Sequence, residues 1–153
     1  MKLFFRIPWR RQIFFVLNFC LCGMARLSIR MVPLPRLSRF FGILNQNIVV
    51  STVISKQQRQ RAAWIGRSIR LAATYTPWKS TCLTQAMVAR FWCWVFGIPY
   101  GLYIGFSPDP SAPNGYKAHA WVTAGAVLMT GGNGFLGFSV VSSYFGASQL
   151  IKP

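Results

Sequence analysis

The hydrophobic period of this chain changes once, at Gly97-Ile98-Pro99, and that change restricts the fold more than any other feature. Before it, apolar residues recur every three or four positions, the spacing that buries one face of a helix. After it come short runs rich in aromatic and β-branched residues, separated by glycine and proline turns. Helices followed by an antiparallel meander make an α+β chain, in which the last helix is laid on the sheet that follows it. With 153 residues, 53% of them hydrophobic, the chain is long enough for one domain with its own core. Two regions are expected within that one structural unit. Residues 1–74 form a basic, hydrophobic helical region, and residues 75–153 form a core of one helix and a small sheet.

The first apolar run, Ile13 to Ala25, follows a basic front of Lys2, Arg6, Arg10 and Arg11. It falls short of the roughly 20 residues that span a bilayer. It could be the apolar part of a secretory signal peptide cut after Ala25. The helical pattern continues through Arg26, Leu27, Ile29, Arg30 and Val32 to Pro33, however. That favours a helix packed on the domain or lying at a membrane face. Pro33 and Pro35 end it and permit another over Leu34 to Leu44, with Leu37, Phe40, Phe41 and Leu44 on one side. Asn45 to Ser55 is a connection of undefined form. A further helix is expected over Lys56 to Thr74, with Trp64, Ile65, Ile69 and Ala72 inward and Arg59, Arg61, Arg67 and Arg70 on a solvated face.

Tyr75 to Lys79 breaks that helix and delivers Ser80 and Thr81 as N-cap candidates. The next helix is expected from Cys82 to about Phe96, closed by Gly97 and Pro99. Its inward positions are read as Leu83, Ala86, Met87, Arg90 and Trp94, with Cys93 also in the packing. Strands are expected over Tyr100–Phe106, Tyr116–Thr123 and Ala126–Thr130. Ala124-Gly125 and Gly131-Gly132-Asn133-Gly134 are the turns between and after them. Phe135 to Ser142 is a further strand or an irregular crossing.

Charge removes several function classes. Seventeen Lys and Arg stand against one acid, Asp109, for a net charge of +16. A mechanism needing two carboxylates is excluded, and a carboxylate-ligated metal site nearly so. The cysteines, Cys20, Cys22, Cys82 and Cys93, match no zinc-knuckle spacing, and there is one histidine. No metal and no cofactor is expected, and the thiols are read as reduced, in the cytoplasm. The excess positive charge attracts acidic peptides, acidic proteins, nucleic acid or anionic lipid without choosing among them. No phosphate-cradling loop, zinc finger or RNA-binding aromatic signature is present, so a nucleic-acid partner is not expected.

Two residues carry candidate chemistry. Cys82 falls where a helix begins, and a helix N-terminus favours the thiolate of a cysteine placed there. His119, in Ala118-His119-Ala120-Trp121-Val122, lies mid-strand and is the histidine available to take a thiol proton. A buried small cysteine and a hydrogen-bonded core histidine sharing one domain is the plainer alternative.

Cys82-Leu83, Phe96-Gly97-Ile98-Pro99, Leu102-Tyr103-Ile104-Gly105-Phe106 and Ala118-His119-Ala120-Trp121-Val122, in this order, closely resemble the transglutaminase-like cysteine peptidases of lasso peptide biosynthesis, in their stand-alone form. The arginine-flanked N-terminal helix with Leu34-Pro35-Arg36-Leu37, and the Ala/Arg helix before Cys82, extend the likeness over most of the chain. The resemblance implies removal of the leader from a ribosomally made precursor peptide. It implies two further partners: a small leader-recognition protein and an ATP-dependent, asparagine-synthetase-like cyclase. Carried onto this sequence, Cys82 is the nucleophile and His119 the general base, later the acid toward the leaving amine. The Cys82 backbone N–H would contribute to an oxyanion hole. Trp121 could shield the imidazole or touch substrate; otherwise it is core.

The chain departs from that family at the third catalytic member. Many relatives place an aspartate after the hairpin that follows the histidine; here Gly131-Gly132-Asn133-Gly134 stands there. Asn133 could orient His119 through its amide oxygen, as asparagine does in other papain-like enzymes, or serve only the turn. A dyad with a backbone orienter is another possibility. Asp109, in a proline-rich loop ahead of the histidine, reads as a turn residue. The missing acid and the +16 charge also leave open a non-catalytic basic scaffold that docks an acidic partner or a membrane. Acyl transfer to an amine is a third option that the fold permits.

Overall fold

The computed structural model describes residues 8–44 and 52–146, and of Asn133 the backbone alone. Helix α1 spans Trp9–Met31 and starts behind Pro8. It stops because Val32 precedes Pro33, which disfavours helical backbone at Val32 and leaves it extended. At 23 residues, α1 is long and apolar enough by length and composition to cross a membrane, more than the apolar run by itself suggests. One of its faces is nevertheless committed to the domain. Phe14, Asn18, Cys22 and Ala25 are buried along it. Phe14 lies 4.2 Å from the Trp64 ring and 4.4 Å from that of Trp92.

The expected helix over Leu34–Leu44 is much shorter. A single turn, α2 (Leu34–Leu37), runs into a 3-10 turn at Ser38–Phe40. Gly42 then takes a φ of +129°, which no helix accommodates, and a side chain there would collide with the Phe145 carbonyl. The chain turns instead into β1 (Ile43–Leu44), which pairs with the last strand. The connection expected over Asn45–Ser55 lies outside the described residues as far as position 51.

Helix α3 spans Lys56–Tyr75, close to expectation. Its start is a capping box: the Gln58 amide donates to Ser55 Oγ (3.2 Å), and the Ser55 amide donates to Gln58 Oε1 (2.9 Å). Ile65, Ile69 and Ala72 are buried as read, and Trp64 packs at the core margin. Arg59, Arg61 and Arg67 face solvent. Arg70 does more than decorate the helix, since its guanidinium donates to the Met129 carbonyl at 2.6 Å.

Helix α4 spans Cys82–Val95. It ends in a Schellman motif: Ile98 N–H bonds to Cys93 O (2.8 Å), Gly97 N–H to Trp94 O (3.3 Å), and Gly97 has φ +60°. Its buried face differs from the one expected. Thr84, Ala86, Val88, Ala89, Trp92 and Cys93 are inside, whereas Trp94 is 61% exposed. Nearly every position of this helix is apolar, so spacing alone fits two faces. The small side chains at Ala86 and Ala89 decide it by letting the helix sit close to the sheet.

The sheet has the order β1-β5-β2-β3-β4, with β2 (Tyr100–Pro108), β3 (Tyr116–Ala124), β4 (Val127–Thr130) and β5 (Ser139–Gly146). All its pairings are antiparallel. The segment left undecided at Phe135–Ser142 does both things: a 3-10 stretch (Gly132–Gly137) crosses, and β5 follows. Because strand residues alternate in facing, the sheet has two different sides. Tyr100, Leu102, Ala120, Val122, Ala124 and Tyr144 join the core built with α1, α3 and α4. The chain is thus a mixed helix and antiparallel-sheet fold, as its change of period predicts.

Candidate active site

Cys82 occupies the first turn of α4. Thr81 is the N-cap, its hydroxyl accepting from the Thr84 amide (3.4 Å) and bonding the Thr84 hydroxyl (3.0 Å). Of the two cap candidates, Thr81 is therefore the one used. The segment that leads to Cys82 is held from behind by α1. Phe19 lies 5.1 Å from the Trp78 ring, and a side chain on Gly23 would press on that ring at 3.0 Å. Cys22 is buried nearby; burial pushes its thiol up, and the neighbouring Ser80 side chain partly opposes this.

The four cysteines now separate. Cys22 and Cys93 are buried, and burial pushes the Cys93 thiol up to about 12 although Arg90 lies close enough to oppose it. Such thiols stay protonated and inert at neutral pH. Cys20 is exposed on α1. Only Cys82 combines partial exposure with a helix N-terminus.

His119 sits in β3, paired with Gly105 of β2. Its imidazole projects from the sheet face opposite the helices, beside Trp121 (ring centroids 5.9 Å apart) and Phe138 (5.0 Å). Trp121 is 4% exposed and stacks in turn on Tyr103 (5.6 Å) and against Phe135 (5.8 Å). The expected shielding position for Trp121 is therefore occupied, with little of its surface left for substrate. Gly105 leaves the space this group fills, because a Cβ there would lie 3.0 Å from both Trp121 and Phe138.

The bond that fixes the imidazole comes from the backbone of the turn after β4, and not from a side chain. His119 Nε2 lies 2.7 Å from the Gly131 carbonyl oxygen. A carbonyl can only accept, so Nε2 carries the proton and Nδ1 is left as the basic nitrogen. Gly131 is required for this contact. Its φ is +99°, and a Cβ would run into that of Trp121. The glycine run after β4 is the sequence signal for this backbone acceptor. The Asn133 side chain lies outside the described residues. Asp109 is the turn residue it was read to be, with its carboxylate accepting from the Ser111 amide (3.0 Å) and hydroxyl (2.6 Å).

Helix α4 packs on β2, β3 and β4. Its C-terminal half is anchored through Arg90 Nε to the Tyr100 hydroxyl (3.2 Å) and through Cys93 Sγ to Met129 Sδ (3.5 Å). Strand β4 pairs with β3 only over Val122–Ala124, and beyond it Gly131 lies against Trp121 and His119. Among the described residues, no hydrogen bond joins the Cys82 thiol to the imidazole. Nor do the described residues hold a cluster of metal-ligating groups.

A thiol in the first turn of a capped helix, laid on an antiparallel sheet that carries one histidine, is the layout of transglutaminase-like proteins. The chain belongs to the transglutaminase-like superfamily, whose family profile matches residues 28–143. That superfamily includes cysteine peptidases. Among curated proteins and solved structures, none matches this chain significantly.

Proposed function

We propose that the protein is a cysteine peptidase that removes the leader from a ribosomally made lasso precursor peptide. The observation that carries this reading is the His119–Gly131 contact, which leaves Nδ1 as the free base. In the reaction, Cys82 Sγ loses its proton to Nδ1 and attacks the scissile carbonyl carbon, forming a C–S bond. The tetrahedral oxyanion collapses, the C–N bond breaks, and the imidazolium gives its proton to the leaving amine, which is the N-terminus of the core peptide. Water, deprotonated by the same nitrogen, then hydrolyses the thioester. The Cys82 amide, at the positive end of α4, is a donor for the oxyanion, and such a donor is worth about 3 kcal/mol of barrier.

The reading requires sulfur and Nδ1 to meet once substrate is bound. Catalytic contacts commonly tighten at that stage. A small leader-recognition protein and an ATP-dependent cyclase are the accompanying partners. Its test is the purified chain with precursor and recognition protein, read by mass spectrometry. Leader release is expected for the native chain and not for Cys82→Ala. Retained cleavage in that variant would sink the mechanism.

The unjoined thiol and imidazole favour a second reading, a non-catalytic basic scaffold in the same pathway. Iodoacetamide separates the two across pH. An activated Cys82 reacts well below the pH at which an ordinary thiol does, whereas a scaffold thiol follows the ordinary curve.

A further inference from the structure

Helix α1 has two apolar faces and only one is covered. Phe14, Asn18, Cys22 and Ala25 point into the domain. On the opposite side Trp9, Ile13, Val16, Leu17, Met24, Leu27 and Met31 are all exposed, from 45% at Leu17 to 73% at Met31. Their spacing of three, four or seven puts them on one stripe that runs the full helix, with exposed Cys20 at its middle. A 23-residue helix is roughly 34 Å long, so this is a continuous strip and not a scatter of single residues. Leu34, Phe40, Ile43 and Leu44, also exposed, follow it in the chain.

Charge identifies what covers the strip. Arg10 and Arg11 stand at one end of α1, and Arg26 and Arg30 at the other. Arg36 and Arg39 accompany the apolar residues beyond it. The Arg10 guanidinium lies over the Trp9 ring at 5.6 Å, a pairing suited to the boundary between headgroups and acyl chains. The chain has a net charge of +16 and one acid, Asp109, so almost nothing on it repels a phosphate surface.

The helix does not serve as a transmembrane span. Asn18 is fully buried, its amide donating to the Phe14 carbonyl (2.8 Å) and its oxygen accepting from Trp92 Nε1 (2.9 Å). Crossing a bilayer would carry Asn18 into hydrocarbon and strand the Trp92 N–H inside the domain. It would also strip Phe14 from Trp64 and Trp92. We infer that α1 lies in the plane of an anionic bilayer surface, its outer stripe in the headgroup–acyl boundary and the domain seated above it. Because α1 also braces Trp78 and the segment leading to Cys82, a bilayer beneath it would hold that segment still.

Flotation of the full chain with vesicles of equimolar phosphatidylglycerol and phosphatidylcholine tests this, against pure phosphatidylcholine vesicles. Binding to the anionic vesicles alone is expected, weakened by salt. Ile13→Gln with Leu27→Gln should lower the affinity by more than about tenfold, and Arg26→Gln with Arg30→Gln by roughly fivefold per arginine. A bimane label on Cys20, in a Cys82→Ala chain so that this thiol alone is open to label, should shift blue on binding. Depth-dependent quenchers should place it at the boundary. No binding to anionic vesicles overturns the inference, as does quenching that places Cys20 at the bilayer centre. So does self-association in solution that the same Gln pair abolishes, because a second copy would then be the occupant. Circular dichroism of each variant keeps loss of binding distinct from loss of fold.

Discussion

The two ends of α4 hold the same side chain in opposite chemical situations. Cys82, in the capped N-terminal turn, is partly exposed. Cys93 is fully buried against Met129, with its thiol pushed up to about 12. Three helical turns separate a group that reagents can reach from one that cannot ionise at neutral pH. Reactivity here is a property of the place on the helix and not of the residue. The comparison yields a large expected difference. At pH 7 the thiolate fraction of a thiol near 12 is on the order of 10⁻⁵, so alkylation of the native chain should label Cys82 and leave Cys93 untouched until unfolding. Peptide mapping after brief iodoacetamide treatment measures this, and comparable labelling at both sites would break the contrast.

His119 is held by the Gly131 carbonyl. Gly131→Ala adds a Cβ where Trp121 already is, at a φ of +99°, so the carbonyl must move off Nε2. With His119 as the base of the proposed peptidase, this displacement should lower turnover by roughly 10²-fold. Gly132→Ala is the matched control, since Gly132 has φ +60° but open space around its Cβ. It carries similar backbone strain without shifting the Gly131 carbonyl. Cleavage kinetics with melting curves for both variants sharpen the assignment. Equal loss of turnover in the two would assign the effect to strain alone and remove Gly131 as the positioning group.

What the sequence showed and what it hid follow from the same physics. Thr81 before Cys82, and Gly97-Ile98-Pro99 after the helix, mark ends by side-chain chemistry and backbone freedom, and both marks were readable. So were β2 and β3, which are rich in aromatic and β-branched residues. The Gly131 acceptor was not readable as such, because every residue carries a carbonyl and only the fold aims one at an imidazole. The two-residue β1 is too short to show a period. On α4, spacing alone fits two faces and admits Trp94 to the inward one, whereas Trp94 is exposed. Ala86 and Ala89 set the approach of the helix, and Trp92 turns inward to donate to Asn18.

The capped end admits a smaller test. Thr81→Ala removes the acceptor for the Thr84 amide and should lower stability by about 1 kcal/mol, read by urea unfolding. Thr81→Asp should restore most of it, since an aspartate accepts the same bond and suits the helix dipole. If the Ala variant is as stable as the native chain, the cap contributes nothing and the placement of Cys82 rests on α1 through Trp78 alone.

The buried end makes a prediction about alkaline pH. Cys93 has an unfolded value near 9.0 and a folded value of about 12, so the unfolded chain releases this proton first as pH rises. The native state then binds more protons than the unfolded state, and stability falls with increasing pH. The contribution is fully present below about 9 and is withdrawn between 9 and 12. Cys22 and Tyr100, both pushed up by burial, act in the same direction. Melting temperature measured from pH 7 upward should therefore decline above pH 9, and Cys93→Ala should decline less steeply while starting lower for the lost contact with Met129. An identical alkaline slope in the two chains would mean that Cys93 is not shielded as its position requires, and the difference between the two ends of α4 would rest on exposure at Cys82 alone.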